Sequence, residues 1–368
     1  MSLFINSNNL RTALKAVSKA MDKKDDIPSR SYFYIQRDEE REDVINVVGG
    51  GSLFTIRCDI PATIEDVDKP FLLHPSALKY IEKLNDDDEL RIDIIQQELA
   101  PTIKITSASG EATFVGYLTD EYPTSSIPSA LGGVNIRAIS ADLKRIIEFT
   151  DEKSEISLLS NIRVLIEGGE INIAATTGVS AARIKRDIDT SIDLQFLIPK
   201  RVAQFIVETG KAFSLNEDER FITLTEEEGN CTIMFRKVIG KFPNVDGIIP
   251  HYDNVVMVYT EQFKSALERM SIINTATVDI TINQDSIIIS CQDAVNNNMK
   301  EVLSRQDGEL ADYGGMKIRL SLSQLRSIAK IIASEKIAIE FLDAGRAVLF
   351  KEWNDSSAKY ITMPYKID

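Results

Sequence analysis

A residue pair that ends in proline recurs at three evenly spaced places, and this repeat constrains the fold more than any other feature. The pairs are Tyr122-Pro123, Phe242-Pro243 and Met363-Pro364. Their prolines are 120 and 121 residues apart in a chain of 368 residues. A period of this length is typical of repeated domains, because domains usually have about 100–150 residues. The sequence therefore predicts three domains, at residues 1–129, 130–248 and 249–368.

Each third of the chain shows the same order of elements, which is helix, strands, helix, strands. In the first third, Leu10, Leu14 and Val17 form an apolar stripe at helical spacing. In the second, alternating runs flank Gly168-Gly169, which is a hairpin signal, and Ser140 is a candidate N-cap. In the third, Ser321 and Gln324 form a possible capping box. The pattern predicts an α+β fold with mostly antiparallel sheet.

Composition and charge exclude several classes of protein. No run reaches the roughly 18 apolar residues of a membrane span, and the N-terminus lacks the order of a signal peptide. Cys58, Cys231 and Cys291 lie one in each third without a paired spacing. We expect free thiols in a reducing cytoplasm, and neither a disulfide nor a zinc site. The net charge of −14 argues against indiscriminate nucleic-acid binding by the outer surface.

Basic residues nevertheless lie on all six predicted helices. Residues 1–21 and 313–334 contain no acidic residue, although the chain has 56. Pairs at i and i+4 share one helix face, where like charges repel, so a facing polyanion would favour such a stripe. The alternative is an ordinary solvated polar face. The candidate cations are Arg11, Lys15, Lys19, Lys23, Lys24, Lys79, Lys83, Lys144, Arg145, Lys200, Arg201, Lys264, Arg326 and Lys330.

Residue patterns typical of catalysis are missing from the sequence. The chain has two histidines, His74 and His251, which are too few and too far apart for a histidine metal site. It contains neither a phosphate-binding GxxxxGK[ST] run nor a G-x-S-x-G nucleophile elbow. The acidic run 86–89 lacks the spacing of a calcium loop and is interpreted as a solvated turn. We therefore expect a binding scaffold without catalytic residues, metal or cofactor.

Four segments together carry a resemblance to a known family. They are SNNLRTALKAVSKAM at residues 7–21, INIAATTG at 171–178, KFPNVDGIIP at 241–250 and YITMPYKI at 360–367. By their order and spacing, the chain resembles the bacterial DNA polymerase III beta subunit, the sliding clamp, over essentially its whole length. The resemblance implies a head-to-tail ring of two identical chains. The helices would line the hole, the sheets would form the outer wall, and double-stranded DNA would thread through without sequence specificity.

The resemblance also implies a peptide-binding pocket between the second and third domains. Its partners would be the DNA polymerase III alpha subunit, the clamp loader and other proteins with a clamp-binding motif. The alternative is that these residues only pack a domain boundary. Val179-Ser180 and Asp246-Gly247 depart from the more basic family pattern, which implies a less basic rim. The implied pocket residues are Thr176, Gly178, Pro243, Ile248, Ile361, Met363, Pro364 and Tyr365.

Ring closure in the resembled family joins the first and third domains by edge-strand pairing and apolar packing. Phe114, Ile272 and Ile273 lie at the corresponding places. Such a clamp would be a non-catalytic homodimer in the cytoplasm, associated with the nucleoid. A second hypothesis is a tandem-domain protein that binds peptides or carbohydrate and never encircles DNA. An enzyme of unfamiliar type is a third, weakened by the lack of a nucleophile–base pair.

Overall fold

A computed structural model describes residues 2–22, 27–65, 67, 69–95, 101–119, 122, 134–136, 139–227, 229–306 and 315–367. The chain divides into two compact units. The first unit comprises residues 1–139 and 208–237, and the second comprises residues 140–207 and 238–368. The predicted boundaries of three domains stay a prediction.

The described part of the chain contains six α-helices, two in each third, as the sequence predicted. Asn6 caps the first helix by accepting from the backbone N–H of Asn9, and Ser321 caps the sixth by accepting from that of Gln324. The third helix begins one residue before Ser140, so the predicted N-cap at Ser140 was wrong. The helices are α1 Ser7–Ser18, α2 Ser76–Ile81, α3 Ile139–Ile146, α4 Lys200–Thr209, α5 Thr260–Met270 and α6 Leu322–Ile331.

The strands of the first half of the chain alternate with the first three helices. They are β1 Ser2–Asn6, β2 Phe33–Arg37, β3 Val44–Gly50, β4 Phe54–Pro61, β5 Thr63–Glu65, β6 Phe71–Leu73, β7 Glu89–Ile95, β8 Thr102–Ser107, β9 Gly110–Leu118, β10 Val134–Asn135, β11 Asn161–Glu167, β12 Glu170–Thr176 and β13 Ser180–Asp187.

The remaining strands follow the same pattern around α4, α5 and α6. They are β14 Leu194–Pro199, β15 Phe213–Glu217, β16 Phe221–Glu226, β17 Cys231–Arg236, β18 Val255–Tyr259, β19 Thr277–Ile282, β20 Ser286–Gln292, β21 Asn298–Ser304, β22 Met316–Ser321, β23 Lys336–Glu340, β24 Val348–Glu352 and β25 Asp355–Thr362.

The first unit is built on one antiparallel sheet of 13 strands, in the order β10-β15-β16-β17-β4-β3-β2-β6-β9-β8-β7-β1-β5. Helix α1 buries Leu10, Leu14 and Val17, and packs against β3 and β4. A Cβ atom at Gly49 would lie 2.6 Å from the carbonyl oxygen of Val17. Glycine is therefore required where β3 passes beneath the helix.

A disulfide joins Cys58 on β4 to Cys231 on β17, where the two residues oppose each other in the antiparallel register. The expectation of three free thiols was therefore wrong for this pair. Cysteine spacing along the chain gave no sign of it, because the two residues are 173 positions apart. Their proximity depends on the pairing of strands from different thirds of the chain. Cys291 is a free, buried cysteine.

The second unit contains two antiparallel sheets. One has eight strands in the order β14-β11-β12-β13-β25-β24-β23-β18, and the other has four in the order β21-β20-β19-β22. The eight-stranded sheet joins strands of the second third to strands of the last third through the β13–β25 pair. In the part of the chain that the structure describes, we find no helix long and apolar enough to cross a membrane.

Candidate nucleic-acid interface and peptide pocket

Arg11 serves the packing of the first unit. Its Nε donates to the carbonyl of Ile81 at 3.2 Å, and its Nη2 donates to that of Leu84 at 2.8 Å. Its Nη1 also forms an ion pair with Asp86. Only 13% of the side chain is exposed. Arg11 therefore fixes α1 to the end of α2 and has little surface left for a ligand.

The other predicted cations of the first unit are on the surface. Lys15 and Lys19 are about half exposed, and their ammonium groups lie 3.4 Å from Glu82 and 2.9 Å from Glu208. Lys79 and Lys83 are exposed. Exposed ion pairs contribute little to stability and exchange readily, so these lysines can rearrange toward an anion. Lys23 and Lys24 lie outside the described residues.

Two adjacent residues of α3 have different environments. Lys144 is exposed, whereas the guanidinium of Arg145 donates to the hydroxyl of Tyr360 at 3.0 Å and pairs with Glu352 at 2.8 Å. Burial raises the pKa of Tyr360 to about 12, although the positive charge of Arg145 acts to lower it. Arg145 therefore belongs to an internal network of the second unit.

Helices α5 and α6 bring three predicted cations together. Lys264, Arg326 and Lys330 line an open cavity of about 480 Å³. Arg326 and Lys330 are exposed, and Lys264 is 2.9 Å from Glu261. Glu148 and Glu268 also line this cavity, so the groove is mixed in charge and basic along α6. On the preceding helix, α4, Lys200 is 3.6 Å from Glu152, and Arg201 is half-buried.

A tight turn between β12 and β13 positions part of the predicted pocket. The hydroxyl of Thr176 donates to the carbonyl of Ser180 at 2.8 Å and accepts from the backbone N–H of Gly178 at 3.0 Å. Gly178 has a φ of 91°, a conformation that favours glycine. Thr176 is 4% exposed, so it acts by holding the turn rather than by offering a contact surface.

The C-terminal segment runs alongside this turn. Ile361 opposes Ala181 in the β13–β25 register, and the N–H of Met363 donates to the carbonyl of Val179 at 2.9 Å. Ile361 is buried, whereas Met363 and Val179 are about half exposed. The structure therefore brings Thr176, Gly178, Ile361 and Met363 together. Pro364, which follows Met363, is half-buried.

The segment 241–250 is anchored on the sheet by two residues that the sequence interpretation did not select. Phe242 and Val245 are buried in a cluster with Ala174, Ala181 and Leu197. Leu158 and Val238 pack against this cluster and are partly buried. Pro243 and Ile248, which were predicted, are exposed. The sequence does contain a signal for these two buried anchors, which is the Phe-x-x-Val spacing of two apolar residues in FPNVDGIIP.

Asp246 accounts for one departure from the family pattern. Its carboxylate accepts from Arg163 Nη2 at 2.9 Å and from Asn172 Nδ2 at 3.1 Å, and it lies 3.9 Å from Arg183. Burial raises the pKa of Asp246, but the hydrogen bonds and positive charges outweigh it, so the pKa is lowered overall. An acidic residue at this position is therefore matched by two buried arginines on the sheet.

Tyr365 lies with the predicted ring-closure residues. Its backbone N–H donates to the carbonyl of Arg319 at 2.8 Å. It lines an open cavity of about 540 Å³ together with Ile272 and Ile273. Ile272 is 75% exposed and Tyr365 is 51% exposed. Tyr365, two residues after Met363, therefore lies in a second cavity, whose lining contains both polar and apolar residues.

Each unit presents a strand edge that is unpaired among the described residues. Strand β9 pairs with β8 from Gly110 to Val115, and its other side pairs with β6 only over the last three residues of β9. Phe114 on this segment packs against Tyr80 with ring centroids 6.3 Å apart. In the four-stranded sheet of the second unit, β21 is an edge strand, and Val302 on it is 61% exposed.

Comparisons with known proteins find similarity to the same family that the sequence resembles. Residues 247–366 match the family described as DNA polymerase III beta subunit, C-terminal domain. The Beta sliding clamp of Treponema pallidum is 22% identical over 346 residues, which cover 86% of this chain and 90% of that protein. The Beta sliding clamp of Haemophilus influenzae is 17% identical over 385 residues and covers 100% of both chains.

Solved structures of sliding clamps have the same fold. The clamp from Bacillus subtilis matches with a TM-score of 0.89 at 18% identity, over 100% of both chains. The beta subunit from Thermotoga maritima matches with a TM-score of 0.86 at 17% identity, over the same share. A clamp from Pseudomonas aeruginosa bound to griselimycin gives a TM-score of 0.84 at 17% identity, again over 100% of both chains. The predicted fold class is confirmed.

Proposed function

We propose that this chain, a sequence-divergent DNA polymerase III beta sliding clamp, is a processivity factor that encircles duplex DNA as a ring of two identical chains. The observation that carries the proposal is the groove between α5 and α6, which is basic along α6 and is lined by Lys264, Arg326 and Lys330 beside two glutamates, in a protein of net charge −14. Duplex DNA carries one negative charge per roughly 1.7 Å of its axis. A ring that is held by topology needs only weak phosphate contacts, so it can slide.

Ring closure would use the two strand edges. The free edge of β9 near Phe114 in one chain would pair with β21 of its partner, and this contact would occur twice. Pairing would cover edges that otherwise promote aggregation. Ile272 is 75% exposed and lies with the partly buried Ile273 beside Tyr365, which suits the packing that accompanies such a junction. Two copies of one head-to-tail contact form a closed ring when the rotation that relates one chain to the next leads back to the first chain.

The peptide pocket would recruit the partners of the clamp. Met363, Val179 and Ile248 are each about half exposed. Met363 is hydrogen-bonded to Val179, and Ile248 follows the buried anchors Phe242 and Val245 along the chain. Such a surface can bury a leucine or phenylalanine of a partner peptide, worth about 1.5–3 kcal/mol each. We infer that the DNA polymerase III alpha subunit, the clamp loader and other proteins with a clamp-binding motif dock here. The role is non-catalytic, and the site of action is the cytoplasm, at the nucleoid.

Light scattering on the purified chain tests the ring. A mass near twice 41.1 kDa is expected. Replacement of Val302 by Lys should reduce this mass, because Val302 is exposed on the β21 edge and a lysine there would oppose pairing. Val295→Lys is the matched control, since Val295 is 75% exposed and precedes β21 in a turn. A mass near 41.1 kDa for the unmodified chain at micromolar concentration would contradict the proposal.

A further inference from the structure

The two sheets that join different thirds of the chain do so through equivalent strand pairs. In the first unit, β4 pairs with β17, and in the second unit, β13 pairs with β25. Strand β4 is the second strand of the β3–β4 hairpin, as β13 is of the β12–β13 hairpin. Each joint therefore links the second strand of a hairpin to the last strand of the next third. We call them the first joint and the second joint.

The register identifies matching positions in the two joints. Cys58 opposes Val47 in its hairpin and Cys231 across the first joint. Ile184 occupies the same place in the second joint, because it opposes Ile173 in its hairpin and Ala358 across the joint. The first joint thus has two cysteines where the second has isoleucine and alanine. Only the first joint has the chemistry for a covalent link at this position.

We propose that Cys58 and Cys231 form a redox-reversible staple, which closes the first joint covalently under oxidising conditions and leaves it held by backbone hydrogen bonds under reducing conditions. The inference stands on the register and does not require the ring. Two cysteines cannot be bridged when their Cα atoms are more than about 7 Å apart, and the directly opposed Cys58 and Cys231 have Cα atoms 4.2 Å apart.

Glutathione is the redox partner in the exchange reaction. In oxidation, the Cys231 thiolate attacks glutathione disulfide, forms a mixed disulfide and expels one glutathione thiolate. The Cys58 thiolate then attacks the Cys231 sulfur and expels the second. Two protein thiols are oxidised, and one glutathione disulfide is reduced to two glutathione thiols. Reduction reverses the steps, with glutathione entering at Cys231, because Cys231 is partly exposed and Cys58 is 1% exposed.

Cys291 provides an internal reference. It is buried in the second unit, with its Sγ 3.3 Å from the sulfur of Met270. Burial, together with the charges of Asp279 and Asp293, raises the pKa of its thiol, which disfavours the reactive thiolate. It should therefore stay a thiol at glutathione ratios that oxidise the other two cysteines.

The test is a redox titration of the full chain. The protein is equilibrated in glutathione buffers from fully reduced to fully oxidised, quenched with acid, unfolded and alkylated, and each cysteine is scored by mass spectrometry. Cys58 and Cys231 should lose alkylation together and regain it when the buffer is made reducing, while Cys291 stays alkylated. Persistent alkylation of Cys58 and Cys231 in every buffer would overturn the staple. A disulfide that survives the most reducing buffer would overturn its reversibility.

Thermal unfolding then measures what the staple does. The melting temperature of the oxidised chain should exceed that of the reduced chain by about 5–10 °C, as expected for a link that closes a long loop. Cys291→Ser should keep this shift, and the double variant Cys58→Ser with Cys231→Ser should lose it. An unchanged melting temperature on complete oxidation would overturn the stabilising role.

A transplanted pair tests the register argument. Ile184→Cys with Ala358→Cys, in the double serine background, places cysteines at the matching positions of the second joint. This pair should also oxidise and raise the melting temperature. Its failure to form a disulfide, in a variant that still folds by circular dichroism, would contradict the claim that the register alone provides the geometry.

Discussion

Arg145 on α3 is hydrogen-bonded to Tyr360 on β25, with 3.0 Å between its Nε and the tyrosine hydroxyl, although the two residues are 215 positions apart in the chain. The same guanidinium pairs with Glu352. Lys144, its neighbour in sequence, is exposed. Two adjacent cations on one helix therefore have separate tasks, one in stability and one at the surface.

Replacement of each by methionine should separate these tasks. Arg145→Met should lower the free energy of unfolding by about 1–3 kcal/mol, because it leaves the buried hydroxyl and carboxylate without their donor. Lys144→Met should change it by less than about 0.5 kcal/mol. Urea denaturation of the unmodified chain and of each variant measures both changes in the free energy of unfolding. Equal losses for the two variants would contradict the assignment of Arg145 to an internal network.

Removing the charges of the basic groove should weaken the hold on DNA. A triple replacement by glutamine, at Lys264, Arg326 and Lys330, should shorten retention on circular DNA. It should also reduce the slope of log affinity against log salt concentration by up to about 3. Lys69→Gln is the control, since Lys69 is exposed and precedes β6. If the triple variant and the control had the same salt slope, the groove would not face DNA.

Truncation of Met363 should affect peptide binding without affecting the fold. Met363→Ala should weaken binding of a QLxLF-like peptide about tenfold, because it removes half-exposed apolar surface. Adding Pro243→Ala should abolish measurable binding. Calorimetric titration provides the affinities, and Leu342→Ala, at another half-exposed apolar residue, is the control. Unchanged affinity in the double variant would remove the pocket assignment.

The ion pair of Asp246 predicts a specific dependence on pH. The folded pKa of Asp246 lies below its unfolded value of about 3.9, so its contribution is present above that pH and is lost as the pH falls through the folded pKa. Asp246→Asn should therefore be less stable than the unmodified chain at pH 7, by about 1 kcal/mol, since 37% of the side chain is exposed to solvent. The difference should shrink below pH 4. A constant difference from pH 7 to pH 3 would contradict the ion pair.

Local patterns in the sequence predicted the helices well. The stripe of Leu10, Leu14 and Val17 is buried as expected, and Ser321 caps α6 through the N–H of Gln324. The side chain of Gln324 does not complete the predicted capping box, because it accepts from the hydroxyl of Thr362. A residue 38 positions away thus competes with the local motif, and no local pattern contains that information.

The functions of individual cations were harder to predict. Arg11 and Lys15 form an i, i+4 pair, yet the side chain of Arg11 is only 13% exposed beside α2, while that of Lys15 is 54% exposed. The spacing of residues along one helix shows which of them share a face, but it does not show which other segments of the chain pack on that face. The Cys58–Cys231 disulfide and the Asp246–Arg163 pair were missed for the same reason, since both depend on contacts between distant parts of the chain: a strand pair for the cysteines, and the packing of segment 241–250 on the sheet for Asp246.

Retention on circular compared with linear DNA shows whether the chain encircles the duplex. The chain would be loaded onto a nicked circular plasmid by the clamp loader of its own source, separated from free protein by gel filtration, and measured again after a restriction enzyme linearises the DNA. Stable retention on the circle and rapid loss from the linear form are expected, because a ring slides off free ends. Equal retention on both forms would contradict topological linkage.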